Sequence, residues 1–426
     1  MKYFGTDGIR GEAYTNLTTD LAYKVGRSLS LLNINKVVLG YDTRESSIDL
    51  ANSLANGALS VGLDVVMFDV IPTPGLILES YYRKSIGVMI TASHNPYKDN
   101  GIKIVKNGFK IDDRDKQMIE DYIDGILDFA HRINGNLTKE ESVYSDFLSK
   151  NIIRTNLKVV IDSANGAACK YVNVFKKMAT VKLISNNPNG KNINENCGAT
   201  HLDNLINNLD GYDLGIAFDG DADRVILVDG NKNIVDGDKL IYLFYKFFKK
   251  HDLIKKDGVV LTIMSNLGII NLFKEENVDV KISDVGDQNV LDMMIKNEYT
   301  LGGEQSGHII TPCTITGDGL LNAMILLTII SEENKSLYEL TKDIYMYPTK
   351  TVNIKVIDKS IINNDYIKEK VKTYENMFES YGKIILRASG TENLIRVTVM
   401  HKDEEVMNNV INELVSLINE EVKKND

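Results

Sequence analysis

Cysteine is scarce in this chain. Cys169, Cys197 and Cys313 are its only three among 426 residues, and no two form a CxxC pair. That excludes a disulfide scaffold and argues against a thiolate metal site, and it fits a reducing compartment such as the cytoplasm. All three are expected as small core or loop residues. Long apolar runs are also missing. The longest, LLNAMILLTII at 320–330, is interrupted by Asn322 and Thr328. It is far short of the ~20 residues that span a bilayer, so it predicts a buried helix and no membrane partner. The opening MKYFGTDGIRG is too polar and glycine-rich for a signal peptide. Positive charge is in deficit: the net charge is -10, which argues against nucleic acid and anionic membranes but leaves room for a small anion in a local basic pocket.

What is present is an ordinary folding composition, 43% hydrophobic and 25% charged, with ample material for a core. At roughly 150 residues per domain the length suggests about three domains. Self-similarity sharpens that count. KVVLGYDTRES from Lys36, KVVIDSANGAA from Lys158 and GVVLTIMSNLG from Gly258 are short β-branched runs followed by small and polar residues. Each is followed by a second strand, at 63–70, 179–185 and 278–286, and by a third ending in a conspicuous loop. Between the first two strands of the first unit, Ile48, Ala51, Ala55, Ala58 and Leu59 recur at helical spacing. The order βαβαβ with largely parallel strands follows, hence an α/β fold of three related units. A fourth, smaller α+β segment begins near TKTVNIKV after Pro348 and ends in the helical stretch EEVMNNVINELVSLINEEV. The expected domains are 1–150, 151–250, 251–347 and 348–426, joined without a low-complexity linker. Ligands bind beyond the carboxyl ends of strands in open α/β sheets, so three such units facing one cleft would point their loops at one site.

The most specific loop is Asp219-Gly220-Asp221-Ala222-Asp223-Arg224. Carboxylates at i, i+2 and i+4 project to one side of an extended segment, and such hard oxygen donors suit Mg²⁺. The loop lacks the distal glutamate of an EF-hand. Arg387-Ala388-Ser389-Gly390-Thr391-Glu392 offers a guanidinium, two hydroxyls and glycine-permitted N–H groups, the inventory for gripping phosphate, with Arg396 as further charge. Glu304-Gln305-Ser306-Gly307-His308 mixes groups suited to sugar hydroxyls. His131, His201, His251 and His401 carry no motif. In ITASHNPYKDN, Ser93 stands on an Asn-Pro turn without a GxSxG elbow. Adjacent His94 points away from it in most backbone geometries, so a hydrolytic pair is disfavoured. A serine facing a metal site and a phosphate clamp reads as a phosphoryl carrier, with Lys103 as acid, base or phosphate contact.

TASHNP, DGDADR, GEQSGH and RASGTE, in this order and spread over nearly the whole chain, resemble the four loops of the α-D-phosphohexomutase superfamily. FGTDGIRG and GEQSGH resemble most the branch that interconverts glucosamine 6-phosphate and glucosamine 1-phosphate, feeding UDP-N-acetylglucosamine and cell-wall synthesis. The resemblance implies a heart-shaped four-domain isomerase that is a cytoplasmic monomer or homodimer. Its partner would be a small-molecule sugar phosphate, and a glucosamine or glucose 1,6-bisphosphate would serve as intermediate or activator. It implies phosphorylation of Ser93 and one Mg²⁺ held by Asp219, Asp221, Asp223 and a phosphoserine oxygen. Arg10, Lys103 and Arg224 become active-site cations, with His94 beside the phosphate. Glu304, Ser306 and His308 contact the sugar, and Arg387, Ser389, Gly390 and Thr391 hold the phosphate that is not transferred. Two positions depart from the pattern: Gln288 replaces a usual basic residue, and Asn393 a usual proline. The alternatives are a mannose or glucose phosphate substrate, a catalytically silent sugar-phosphate-binding protein, and a Mg²⁺ phosphatase, which would leave the sugar and phosphate loops unexplained.

Overall fold

The computed structural model describes residues 1–5, 7–128, 135–388 and 393–425. The β-branched runs become central strands because they are buried on both faces, which a parallel sheet covered by helices requires. Every residue of Ile86–Ile90, Leu214–Phe218 and Gly258–Thr262 is buried. The first sheet has eight strands. Their order is Phe4–Gly5, Gly8–Glu12, Asp99–Lys106, Ile86–Ile90, Lys36–Tyr41, Asp64–Val70 and Leu137–Lys139, with Phe109–Lys110 paired to Asp99–Lys106. Lys36–Tyr41 is parallel to both its neighbours, and the sheet turns antiparallel between Ile86–Ile90 and Asp99–Lys106.

The second sheet runs Thr180–Ile184, Lys158–Asp162, Leu214–Phe218, Val225–Asp229, Ile234–Val235, and the third Asp279–Ser283, Gly258–Thr262, Gly302–Gly303, Ile309–Ile310. Each opens with three parallel strands and closes with antiparallel ones. The fourth is fully antiparallel, Thr349–Lys355, Leu394–His401, Gly382–Ala388, and packs against helix Glu404–Asn425. Four sheets of mixed α/β character therefore match the expected fold class.

Two local expectations need correction. Helix Ser47–Leu59 forms, but Ile48 is exposed and Leu59 only half-buried. The buried arc centres on Ser47, Leu54 and Ala58, and at about 100° per residue Ile48 and Leu59 lie beyond its edge. In the second unit the first crossover is made of two 3₁₀ segments, Ala167–Lys170 and Val172–Lys177, instead of an α-helix. The apolar run at 320–330 does sit in a buried helix, Gly319–Glu333, where Asn322 Nδ2 donates to the Ile309 carbonyl at 2.8 Å. Among the described residues no helix is long and apolar enough to cross a membrane.

One hydrophobic core joins the second and third units and takes in Val38, Val66, Phe68 and Met89 from the first. The fourth unit has its own, built on Ile354, Phe378, Val397 and Ile411. The first three units thus share one continuous apolar core.

Candidate active site

Ser93 follows the buried strand Ile86–Ile90 and adopts a left-handed backbone, φ +52°. A non-glycine residue there is strained and needs support from its surroundings. Its N–H donates to Thr91 Oγ1 at 2.9 Å, and its carbonyl accepts from Asn194 Nδ2 and Arg44 Nη2, each at 2.9 Å. Its hydroxyl donates to Asp219 Oδ2 at 2.7 Å. His94 Nδ1 stands 3.4 Å from the same Oγ, at the outer edge of hydrogen-bond range. The expectation that His94 points away is therefore wrong, because the left-handed turn at Ser93 swings consecutive side chains toward one side. Burial, then the charges of Arg224 and Arg10, lower the His94 pKa to about 4. The imidazole is neutral near pH 7.

The strand pair Leu214–Phe218 and Val225–Asp229 presents the acidic loop between its ends. Asp219, Asp221 and Asp223 are all buried, and each places a carboxylate oxygen within 4.8 Å of the others. Ala222 at φ +56° bends the chain to bring them together. Burial, then the charges of Asp223 and Asp221, push the Asp219 pKa well above the carboxylate range. Lys103, on strand Asp99–Lys106, reaches in to Asp221 at 2.9 Å and Asp223 at 3.5 Å. Burial opposes its charge, but Asp221, Asp7 and Asp223 raise its pKa well above the ordinary value. Asp223 Oδ1 and Asp221 Oδ1 are buried without a hydrogen-bond partner. Unpaired buried carboxylate oxygens are costly, and three convergent hard donors are the chemistry of a Mg²⁺ site. The residues present fit that ion.

Glycines let the loops approach this centre. A Cβ at Gly220 would lie 2.5 Å from the Ser93 carbonyl oxygen, and one at Gly307 would lie 2.2 Å from that of Val225. The sugar-type loop is thereby stacked on the acidic one. His308 pairs with Arg224 in an isolated bridge, and its Nδ1 is 3.6 Å from Asp223 Oδ2. Burial lowers the His308 pKa, but Asp223 outweighs it and lifts the value to about 8. Its Nε2 nonetheless accepts the Gly317 N–H at 3.1 Å. A protonated nitrogen cannot accept, so the geometry fits a neutral ring with its proton on Nδ1. Glu304 Oε1 accepts the Gly286 N–H at 2.8 Å, and Ser306 Oγ donates to Glu304 Oε2 at 3.3 Å. Arg224 Nε stands 3.8 Å from Asp223 and 4.0 Å from Asp219. Arg10 is held by Asp7 at 2.6 Å.

Arg387 comes from the fourth sheet, opposite Arg396 across the ladder. Burial and then Arg396 lower its pKa, while Glu304 opposes them, so Arg387 lies within electrostatic reach of the sugar-type loop. Ser389, Gly390 and Thr391 fall outside the described residues.

Sequence reasoning missed Arg44, Asn194, Thr73, Asp7 and Lys110. Thr73 Oγ1 donates to Asp221 Oδ2 at 2.6 Å. Asp7 joins Lys103 at 3.1 Å to Lys110 at 2.8 Å, and Lys110 reaches Asp287 at 2.7 Å. Lys110 thereby brings a cation next to Gln288, whose amide is turned to Asp292 at 2.7 Å. The available signal was polar residues immediately after a buried strand, as in Asp42-Thr43-Arg44.

Four family models match the chain in order. Phosphoglucomutase/phosphomannomutase alpha/beta/alpha domain I covers residues 1–128, domain II 140–232, domain III 236–347, and the C-terminal domain 352–417. Among curated proteins, the chain is 41% identical to a phosphoglucosamine mutase of Clostridioides difficile, over 99% of both chains. It is 41% identical to one of Limosilactobacillus reuteri, over 93% of both. Among solved structures, it resembles a phosphoglucomutase/phosphomannomutase family protein of Burkholderia thailandensis, with TM-score 0.80, 20% identity, and 98% and 97% coverage of the two chains. An Aspergillus fumigatus N-acetylphosphoglucosamine mutase gives TM-score 0.74 and 16% identity, covering 99% and 96%. At these identities the structural likeness speaks for the fold.

Proposed function

The chain belongs to the phosphoglucomutase/phosphomannomutase family and is a phosphohexomutase, an isomerase of the phosphoglucosamine kind. From that premise we propose that Ser93, once phosphorylated, carries the phosphoryl group between the two ends of glucosamine phosphate. The observation that carries this reading is the 2.7 Å hydrogen bond from Ser93 Oγ to Asp219, inside a cluster of three buried carboxylates faced by Lys103.

In the forward half-reaction the phosphoserine P–Oγ bond breaks as a new P–O bond forms to the free hydroxyl of glucosamine 6-phosphate. The proton of that hydroxyl ends on Oγ, so that Ser93 leaves as a neutral hydroxyl and a 1,6-bisphosphate results. The bisphosphate turns round, and its other phosphoryl group returns to Ser93 by the reverse chemistry, leaving glucosamine 1-phosphate. His94, uncharged near pH 7 and 3.4 Å from Oγ, is placed to exchange a proton there. Lys103 remains an ammonium. With Arg224 and Arg10 it offsets charge on the transferred oxygens, and prior positioning supplies much of the remaining acceleration. Asp219, Asp221 and Asp223 would hold Mg²⁺, which when bound neutralises phosphoryl oxygens. Phosphoserine brings about -1.5 to -2 charges, so the same cations also stabilise the resting enzyme. Glu304, Ser306 and His308 would orient the sugar, and Arg387, Ser389, Gly390 and Thr391 would hold the distal phosphate.

Ser93→Ala should abolish turnover of glucosamine 6-phosphate and remove a phosphate adduct from the intact mass while leaving the fold unchanged. Native-like turnover by Ser93→Ala with glucose 1,6-bisphosphate supplied would overturn the carrier role. Parallel assays on mannose and glucose phosphates test the substrate, and a preference for either would move the reading to that sugar.

A further inference from the structure

Arg44 is almost fully buried, with its guanidinium divided between the Asp42 carboxylate and one stretch of backbone. Nε is paired with Asp42 at 2.9 Å. Nη2 donates to the carbonyls of Ser93 and Asn95, both at 2.9 Å, and Nη1 to that of Pro96 at 2.6 Å. Asp42 in turn accepts from Thr91 Oγ1 at 2.7 Å, and Thr91 Oγ1 accepts the Ser93 N–H at 2.9 Å. From the second unit, Asn194 Nδ2 donates to the same Ser93 and Asn95 carbonyls at 2.9 and 3.1 Å. The Ser93 peptide is thus gripped at both ends, and its carbonyl is doubly bonded from two different domains.

A left-handed serine is unfavourable on its own, and here that backbone is what directs Oγ at Asp219. We infer that Arg44, together with Asn194, is a positioning residue for phosphoryl transfer: it imposes the left-handed turn that aims the Ser93 oxygen, without touching the sugar. This rests on Ser93 being the carrier. Five donors in a rigid fork match a row of carbonyls, and a lysine ammonium at the same place does not. Such a clamp governs the reacting oxygen and leaves the sugar and distal-phosphate contacts alone, so it acts on kcat and spares KM.

The test compares Arg44→Lys and Asn194→Gly with the native enzyme and with Ser93→Ala. Asn194 sits at φ +58°, a conformation glycine adopts freely, so that variant deletes the side-chain donors without straining the loop. Thermal melts, kcat, KM for glucosamine 6-phosphate, and the rate of Ser93 phosphorylation by glucose 1,6-bisphosphate followed by intact mass are measured together. Arg44→Lys is expected to lose about 100-fold in kcat, the scale of a small misplacement. Asn194→Gly should lose about tenfold. In both, phosphorylation should slow by the same factor as kcat while KM stays within about threefold, a split that general destabilisation does not produce. If Arg44→Lys does not fold, Asn194→Gly decides alone. Folded variants with native kcat, or losses confined to KM, overturn the inference while leaving the carrier role intact if Ser93→Ala is inert. An active Ser93→Ala overturns both.

Discussion

The seam between the first and second units is dense and buried, whereas the seam between the third unit and the fourth sheet is polar and sparse. Across the first, Ser93, Thr73 and Lys103 reach Asp219 and Asp221, Thr43 Oγ1 donates to the Asn165 carbonyl at 2.5 Å, and Gly220 lies against the Ser93 peptide. Across the second, Asn266 Nδ2 donates to Thr349 Oγ1 at 3.3 Å. Lys383 Nζ donates to the Ile263 carbonyl at 2.7 Å, and Asn271 Nδ2 to that of Ser380 at 3.1 Å. The fourth unit's core is separate. The difference matches the proposed reaction: the transferring oxygen and the carboxylates must be fixed to fractions of an ångström, while the phosphate-holding side must accept either end of a turning sugar.

The largest expected effect comes from cutting the dense seam at its acidic centre. Asp221→Asn weakens the pairing with Lys103 and Thr73 Oγ1 and removes one charged donor of the triad. Turnover should fall on the order of 100- to 1000-fold, as when one charge-stabilising group is lost, with a higher Mg²⁺ requirement. Steady-state assays across a Mg²⁺ titration check this, and an unchanged profile would remove Asp221 from the metal site. Next is Gly220→Ala, whose Cβ would sit 2.5 Å from the Ser93 carbonyl oxygen and 2.9 Å from Asn194 Nδ2. Overpacking of this kind costs about 1–3 kcal/mol and here also displaces Ser93. Native stability in urea with native turnover would mean that the seam yields more than its packing implies.

The aspartates and the residues that grip the Ser93 peptide mark how far the sequence could be read. The aspartates announce themselves, because three acids at alternate positions after an apolar strand have few structural explanations. Repeated β-branched runs likewise made the three α/β units legible. Arg44 did not stand out, since its partners are carbonyls, which every sequence contains, and they lie some fifty positions away. Asn194 was equally silent within an asparagine-rich loop, SNNPNGKNINEN, and only the fold tells it from its neighbours. The proximity of His94 to Oγ depended on the sign of one dihedral angle, which the residue names do not encode.

At the sparse seam the expected effects are smaller and of another kind. Asn266 caps helix Leu267–Glu275 through the Gly268 N–H at 2.9 Å while donating from Nδ2 to Thr349 Oγ1 at 3.3 Å. Asn266→Ala should cost roughly 1–2 kcal/mol for the cap. Because it loosens the attachment of the unit proposed to hold the distal phosphate, it should raise KM more than it lowers kcat, the reverse of the pattern expected for Arg44→Lys. Finding kcat as the main casualty would erase the functional contrast between the seams.

The smallest effect is a pH dependence. Asp238 lies beside the same junction, buried, with its carboxylate accepting the Asn266 N–H at 2.7 Å and its Oδ1 without a partner. Burial, then the charge of Asp236, lift its pKa to about 8, although Lys383 opposes them. In the unfolded chain an aspartate titrates near ~4. The folded state therefore keeps the proton over a range in which the unfolded state has released it. The stability this group contributes is complete below about pH 4 and is lost as pH rises through about 8. Asp238→Asn retains a carbonyl acceptor for Asn266 without the titration. Its melting temperature should exceed that of the native protein by about 2–4 °C at pH 8.5, and the gap should narrow toward pH 5. Parallel melting curves across that range would place Asp238 outside the pH response of this seam.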